Sequence, residues 1–321
     1  MKPVVEILMA TYNGANYIRQ QIDSIRSQTF RDWRLNICDD CSTDNTLDII
    51  TSIARDDPRI NIISQDVKFG SAQANFTFLM SQATGDYVFL ADQDDIWHSN
   101  KLKLFMDHMH EAERYYGIGT PLLAFSDLTV VDDQDRVIAP SFLKYIGRDP
   151  HRTGLNELLV QNLVTGCASA MNQAMVQAIQ AISVGDAKTM MMHDWVYALL
   201  AASLGNLVYV GEATVDYRQH GDNVMGAHPY SSCKTILGLI IPNTQRKQNR
   251  LTRLHQTIKQ ARLVRTAVQS QASSAALNTL EAYCTIPGQS RMKRIRTLFT
   301  YGFWPNKIVD RISQLLIAFS L

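Results

Sequence analysis

The 321-residue sequence lacks any apolar run near the roughly 20 residues that a membrane-spanning helix needs; its longest, "TILGLIIP" and the final "LLIAFSL", stop well short. No transmembrane helix is expected. No secretory leader is expected either, because "MKPVVEILMATYNG" has only seven residues between Pro3 and Thr11, interrupted by Glu6. That segment reads as a first strand. The five cysteines are odd in number and scattered, and "CDDC" at 38–41 has no second pair to complete a zinc site. Reduced thiols in a cytosolic protein are expected. No G-x-G-x-x-G follows the first strand and no G-x-x-x-x-G-K-S/T occurs anywhere, which excludes the common glycine-rich phosphate cradles. Low-complexity tracts and internal repeats are absent too, and a 46% apolar, 19% charged composition describes a globular chain.

Acids are scarce at one end only. Residues 241–321 carry 13 Lys/Arg against 2 Asp/Glu, whereas residues 1–240 carry 18 against 28, so a net charge of +1 hides an acidic body and a basic tail. Such a tail suits an anionic surface, either membrane or nucleic acid. Basic residues stand at 246, 247, 250, 253, 262 and 265, but the tail offers only Tyr283 and a terminal aromatic group for base stacking, so no nucleic-acid partner is expected.

What is present along the first 130 residues is an alternation of strand and helix signals. "VVEILMA" is followed by "GANYIRQQIDSIRSQT", with Ile18, Ile22 and Ile25 at helical spacing. "WRLNICDD" precedes a helix that Ser42, Thr43 or Asp44 can cap, and "RINIIS", "GSAQANFTFLMSQATG" and "DYVFLAD" complete the series. The order predicts right-handed crossovers and a mainly parallel sheet with helices on both faces. "PLLAFSDLTVVDD", a turn at Asp132–Asp135, "LVTGCASAMN" and the late strand "NLVYVGEATVDYRQHGDN" extend it, "MMHDWVYALLAASLG" is a helix, and residues 246–282 form a long basic helical region.

Ligands bind beyond the carboxyl ends of such strands. Three ends are polar: Thr11, Tyr12 and Asn13 after the first strand, Asp39 and Asp40 after the second, and Asp92, Asp94 and Asp95 after the fourth. Carboxylates so crowded in "FLADQDDIWHSN" call for something positive among them, a metal ion or an Arg or Lys cluster, or for open water. An Asp-x-Asp cluster binds nucleotide phosphates through a divalent metal, Mg²⁺ or Mn²⁺.

These residues carry a resemblance. "ILMATYNGANYIRQQIDSIRSQTFRDWRLNICDDCSTDNT" with "FLADQDDIWHSNKL", "SDLTVVD" and "HDW" resembles a family 2 glycosyltransferase of GT-A fold over residues 4 to about 225. The "DQDDIW…NKL" form with a late "YRQHGDN" is similar to bacterial rhamnosyltransferase-like enzymes of O-antigen or capsule synthesis. The resemblance implies an α/β, Rossmann-like GT-A catalytic domain over 1–230, its nucleotide-sugar half about 1–100 and its acceptor half about 101–230, with a basic helical C-terminal region over 231–321. It implies a nucleotide-diphospho-sugar donor lined by Thr11, Tyr12 and Asn13, with Asp39 accepting from the base, Asp40 close by, Asp92 on ribose or sugar, and Asp94 on the Mg²⁺ or Mn²⁺. Asp194 would be the catalytic base of an inverting transfer, although an Asp at a helix start is also an ordinary cap. His193 stands where many relatives carry Glu. Arg218 and His220 would lie near the diphosphate, and Asp127, His193 and Trp195 near the acceptor.

The resemblance further implies dTDP-L-rhamnose as donor, with UDP-galactose or UDP-glucose as the alternative, and a lipid-linked saccharide as acceptor. A catalytically silent scaffold that keeps the nucleotide crevice is the rival class. The tail fits either a helix docked on the catalytic domain or one lying on the inner face of the cell membrane. Arg291, Lys293, Arg294, Arg296, Lys307 and Arg311 surround Phe299, Tyr301, Phe303 and Trp304, and Ile308, Ile312, Leu315, Leu316 and Phe319 recur at helical spacing. An anionic membrane surface is the expected partner.

Overall fold

The computed structural model describes residues 5–182, 191–221, 226, 228–231 and 244–320. Asp222, Asn223, Cys233 and the run at 235–242 lie outside the described residues, as do the side chains of Arg246, Lys247 and Phe319. Two compact units emerge. The first comprises Met1–Phe142, Val164–Lys188 and Gly205–Ala227; the second comprises Leu143–Leu163, Thr189–Leu204 and His228–Leu321. Residues 143–163 and 189–204, inside the stretch anticipated as catalytic domain, thus group with the C-terminal region.

The first unit is a nine-stranded sheet. Strands β1 (Val5–Thr11), β2 (Trp33–Asp39), β3 (Ile60–Ser64) and β4 (Tyr87–Ala91) pair in parallel, in the order β3-β2-β1-β4. β1, β2 and β4 are buried along nearly their whole length, as strands covered on both faces are, whereas β3 at the edge is mostly half-buried. Helix α1 (Ile18–Arg26) buries Ile18, Ile22 and Ile25 against the core, α2 spans Thr46–Asp56, and α3 (Ala72–Gln82) is capped by Ser71 Oγ on Ala74 N–H. Glu6, fully buried in β1, is compensated by N–H groups of Thr84 and Gly85 and by Asn36.

Beyond β4 the expected parallel order ends. β5 (Ile96–Trp97) precedes α4 (Lys101–Tyr116), and β6 (Leu122–Val131), β7 (Val137–Ala139), β8 (Ser169–Asn172) and β9 (Asn206–Arg218) follow. β8 enters antiparallel between β4 and β6, β9 pairs in parallel with β6, and β5 and β7 pair antiparallel at their own positions. The sheet is mixed, with four parallel and four antiparallel pairings.

The second unit is helical. α5 (Gln173–Gln180) still belongs to the first unit; α6 (His193–Leu204), α7 (Thr244–Val268), α8 (Ser274–Cys284), α9 (Arg291–Tyr301) and α10 (Ile308–Ser320) belong to the second. The long helical region read at 246–282 is two helices, because Ser273 starts α8 by capping Ala276 N–H. Phe303 is fully buried against Tyr283, Arg294 donates to the Ala318 carbonyl, and Asn306 bonds Gln161 and Gly147. Much of the basic, aromatic tail is therefore packed within this unit. Ile308, Ile312, Leu316 and Phe299 nonetheless stay exposed.

Candidate active site

In the first unit, the ends of β1 and β2 are neighbours, with Thr11 opposite Asp39. Thr11 Oγ1 donates to Asp39 Oδ1 at 2.8 Å, and Ser42 donates its backbone N–H to Oδ2 and its hydroxyl to Oδ1, each at 2.7 Å. Three of about four acceptor positions of the carboxylate are filled, leaving one on Oδ2 for a ligand N–H. Asn13 takes a left-handed φ of 48°, a conformation Asn tolerates, while its Oδ1 accepts Thr43 N–H at 2.8 Å and its own N–H reaches Ser42 Oγ at 2.9 Å. Asp40 is buried, and its carboxylate accepts N–H groups of Phe69 and Gly70, which clamps that loop.

Tyr12 leaves its ring half-exposed while its backbone exchanges two hydrogen bonds with the Gln93 amide, at 2.8 and 3.0 Å. The ends of β1, β2 and β4 are thus joined as their polar endings predict. Gln93, visible in "ADQDD", carries no periodic signal that would have marked it.

The acids after β4 have separate fates. Asp92 is half-buried, and its carbonyl accepts Gln21 Nε2 at 3.0 Å. Asp94 meets His220, Oδ2 to Nε2 at 2.8 Å, and the imidazole stacks on Tyr17 at 4.8 Å. Asp95 is fully buried, accepts Arg218 N–H at 3.2 Å, and burial together with Asp94 and Asp92 raises its carboxyl well above the usual range. Part of the expected positive charge is Lys101, which the sequence did not single out. It is fully buried, donates to the Cys167 carbonyl and lies 3.8 Å over the Trp97 ring; burial holds it down to about 7 while Asp95 and Asp92 pull it back up.

Arg218 is buried and engaged. Its guanidinium donates to Asp135 Oδ1 at 2.6 and 3.1 Å, to Gln20 Oε1 at 2.7 Å and to the Asp94 carbonyl at 2.9 Å, and it lies over Tyr17. It braces the acidic turn from behind. Asp135, in a left-handed turn of φ 62°, was legible only as a turn residue. Asp127 is tied into β6 by Leu128 N–H at 2.8 Å and Ser141 Oγ at 2.5 Å, between two register shifts.

A divalent cation can be tested against these donors. Ligand atoms of Asp92, Asp95 and Cys167 lie within 4.8 Å of one another, but burial raises both the Asp95 carboxyl and the Cys167 thiol well above their usual values. A set that is largely withdrawn from water and includes a soft thiol suits Mg²⁺ or Mn²⁺ poorly. Asp94, a carboxylate paired with the His220 imidazole, offers donors better suited to such an ion. Asp94 keeps 15% of its side chain exposed, and its ion-pair partner among the described residues is His220 rather than an Arg or Lys.

In the second unit, α6 opens with His193, Asp194 and Trp195 in one turn. Asp194 Oδ1 accepts Asn162 Nδ2 at 3.2 Å and gains from the positive end of the helix. Trp195 is buried, and its only N–H donates to the Leu158 carbonyl at 2.7 Å, so the indole packs inside the unit. His193 is buried edge-on to Tyr197, and burial lowers it to about 4, so it is neutral at physiological pH. Asn162 is a further residue that the sequence did not mark.

The fold is that of the GT-A type glycosyltransferases: the chain matches S. aureus TarS 1–349, solved in complex with UDP-GlcNAc, with a TM-score of 0.56 at 14% identity, over 99% of this chain and 79% of that one. Residues 6–180 match glycosyl transferase family 2, and the chain belongs to that family. It is similar to the dTDP-rhamnosyl transferase RfbG of Shigella flexneri, 28% identical over 249 residues, 75% of this chain and 81% of that one. TuaG of Bacillus subtilis (strain 168), named for teichuronic acid biosynthesis, is 30% identical over 170 residues, 53% of this chain and 62% of that one. The UDP-Glc:alpha-D-GlcNAc-diphosphoundecaprenol beta-1,3-glucosyltransferase WfgD of Escherichia coli is 36% identical over 106 residues, 33% of this chain and 41% of that one.

Proposed function

We propose that this protein is a metal-dependent inverting glycosyltransferase that moves a sugar, L-rhamnose from dTDP-L-rhamnose, onto a lipid-linked intermediate of a bacterial surface polysaccharide. The observation that carries the donor is the similarity to RfbG, which extends over three quarters of the chain. WfgD supports a second reading with UDP-glucose, or UDP-galactose, but over a third of the chain.

In this reading the remaining acceptor position on Asp39 takes the base N–H, and the exposed Tyr12 ring packs on the base. Asp92 meets the ribose or sugar. Mg²⁺ or Mn²⁺, held by Asp94, would supply the positive charge that stabilises the departing diphosphate. Asp194 accepts the proton of the acceptor hydroxyl as its oxygen attacks the anomeric carbon. Asn162 holds and orients the Asp194 carboxylate through Oδ1. Arg218 positions the Asp94 turn rather than touching phosphate.

No described helix is long and apolar enough to cross a membrane. The exposed Ile308, Ile312 and Leu316, one turn apart on α10, and the exposed Arg291, Lys293 and Arg296 on α9 support peripheral attachment to an anionic membrane from the cytoplasmic side. The test is a panel of nucleotide sugars with Mn²⁺ or Mg²⁺, reading nucleoside diphosphate released in the presence of a lipid-linked acceptor. Release from dTDP-L-rhamnose above all others supports the first reading, release from a UDP-hexose the second, and release from none overturns both.

A further inference from the structure

The second unit contains a cleft, open to solvent, lined by Arg148, Arg152, Gln161, Asn162, Trp304 and Asn306. Its walls are built rather than loose. Asn306 donates its backbone N–H to Gln161 Oε1 at 3.0 Å and its amide to the Gly147 carbonyl at 2.7 Å. Arg152 is held by Glu157 through Nε at 2.6 Å and by the Trp304 carbonyl through Nη2 at 2.8 Å.

Arg148 differs. Among the described residues it forms no ion pair, and its Nε is buried without a hydrogen-bond partner; Nη1 of Arg152 is likewise buried and unpartnered. The second acid on the rim, Asp149, is exposed and accepts His151 N–H at 3.0 Å. Burial and the neighbouring Arg253 together lower the Arg148 guanidinium to about 10, with Asp310 acting only from beyond ion-pair distance. A cation withdrawn from water and unmatched by protein is costly, and such groups concentrate where a ligand completes them. What completes a guanidinium pair is an anion with several oxygens, which two forks can hold at once; a neutral sugar hydroxyl leaves the charge unmet.

We propose that this cleft receives the diphosphate of the acceptor, so that the sugar attacked is the one joined directly to that diphosphate. The link is Asn162, which lines the cleft and also donates to Asp194 at 3.2 Å. Asn162 thus connects the cleft to the residue read as the base, and an acceptor of one sugar on its diphosphate is the simplest ligand that would address both. The inference rests on the reading of Asp194 as the base for the acceptor.

The test compares two acceptors carrying the same sugar, one on a short alkyl diphosphate and one on an uncharged alkyl group, with full-length protein and saturating donor. The wild-type protein is expected to prefer the diphosphate acceptor in kcat/KM by about 10- to 100-fold, the range of a charge-assisted contact, and Arg148→Gln to bring the ratio near one. No preference in the wild type, or a preference that survives in Arg148→Gln, overturns the proposal. A second measurement needs no variant. Inorganic pyrophosphate should compete with the diphosphate acceptor and spare the uncharged one; equal inhibition of both places pyrophosphate elsewhere and overturns the cleft assignment. If no donor is turned over with either acceptor, the enzymatic reading itself has failed. The cleft is then judged by calorimetric titration of the alkyl diphosphate glycoside into the wild type and Arg148→Gln, where equal affinities would sink it.

Discussion

Arg218 in the first unit and Arg148 in the second are both guanidinium groups largely withdrawn from water, yet their surroundings treat them oppositely. Arg218 meets a carboxylate, an amide and a backbone carbonyl, and stacks on Tyr17. Arg148 meets no carboxylate within ion-pair distance among the described residues and has another arginine beside it. A completed cation holds backbone in place, whereas an incomplete one is a place for something that comes and goes. The same contrast separates Asp40, clamped by two loop N–H groups, from Asp94, whose side chain among the described residues meets the His220 imidazole.

The contrast breaks first at the two carboxylates proposed to act in the transfer, Asp194 and Asp94. Asp194→Asn keeps the bond to Asn162 but removes the proton acceptor, so kcat should fall by roughly 10² to 10⁴ with donor affinity little changed. Steady-state kinetics beside donor titration check it, and near-normal turnover would release Asp194 from the role. Asp94→Ala should lower turnover by about 10²- to 10³-fold and abolish the metal dependence of nucleotide binding, read by calorimetry with and without Mn²⁺.

Acid sensitivity gives a third, smaller effect. His193 is held to about 4 by burial, against about 6.5 in an unfolded chain. Protons therefore favour the unfolded state below pH 6.5: its contribution to stability is fully present above that value, is lost as pH falls, and levels off below about 4. The integrated loss is on the order of 3 kcal/mol, and His193→Gln should flatten urea midpoints across that window.

The arginines themselves sharpen the comparison. Arg218→Gln should cost about 2–3 kcal/mol, less than a fully buried pair because Asp135 is 42% exposed, while Arg148→Gln should leave the unfolding midpoint unchanged or raise it. Equal losses in both would erase the distinction. Smallest is Ile312→Ser, on the exposed side of α10, expected to weaken sedimentation with anionic liposomes a few-fold at unchanged Tm, since exposed substitutions move stability by less than about 0.5 kcal/mol. Truncation after residue 288 is a poorer probe, because it strips Phe303 and Asn306 from the second unit.

The alternating strands and helices through β4 were legible because β1, β2 and β4 are almost continuously buried and each helix shows an apolar stripe. The entry of the four-residue β8 was not, since antiparallel insertion is decided by pairing across the chain, 80 residues away from β4. Thr11, Asp39, Asp94 and His220 stood out as polar residues at strand ends. Gln93, Lys101, Asp135 and Arg148 did not, because one polar residue in a loop or helix start looks the same whether it braces a turn, lies buried or lines a cleft. For the tail, periodicity identified the helices but not which faces they hide: Arg294 was read among the lipid-facing cations and is buried on the Ala318 carbonyl.

Gly205 stands where β9 begins. A Cβ there would lie 1.9 Å from the Pro121 carbonyl oxygen, the same atom that accepts Asn206 N–H at 3.1 Å. Backbone contact this close sets β9 against β6, with Asn206 opposite Leu122, and from there the strand runs to Arg218. A strand slipped by one residue turns every side chain to the opposite face. A substitution at position 205 would therefore strain the start of β9, the strand that goes on to deliver Arg218 and His220 to the turn that carries Asp94.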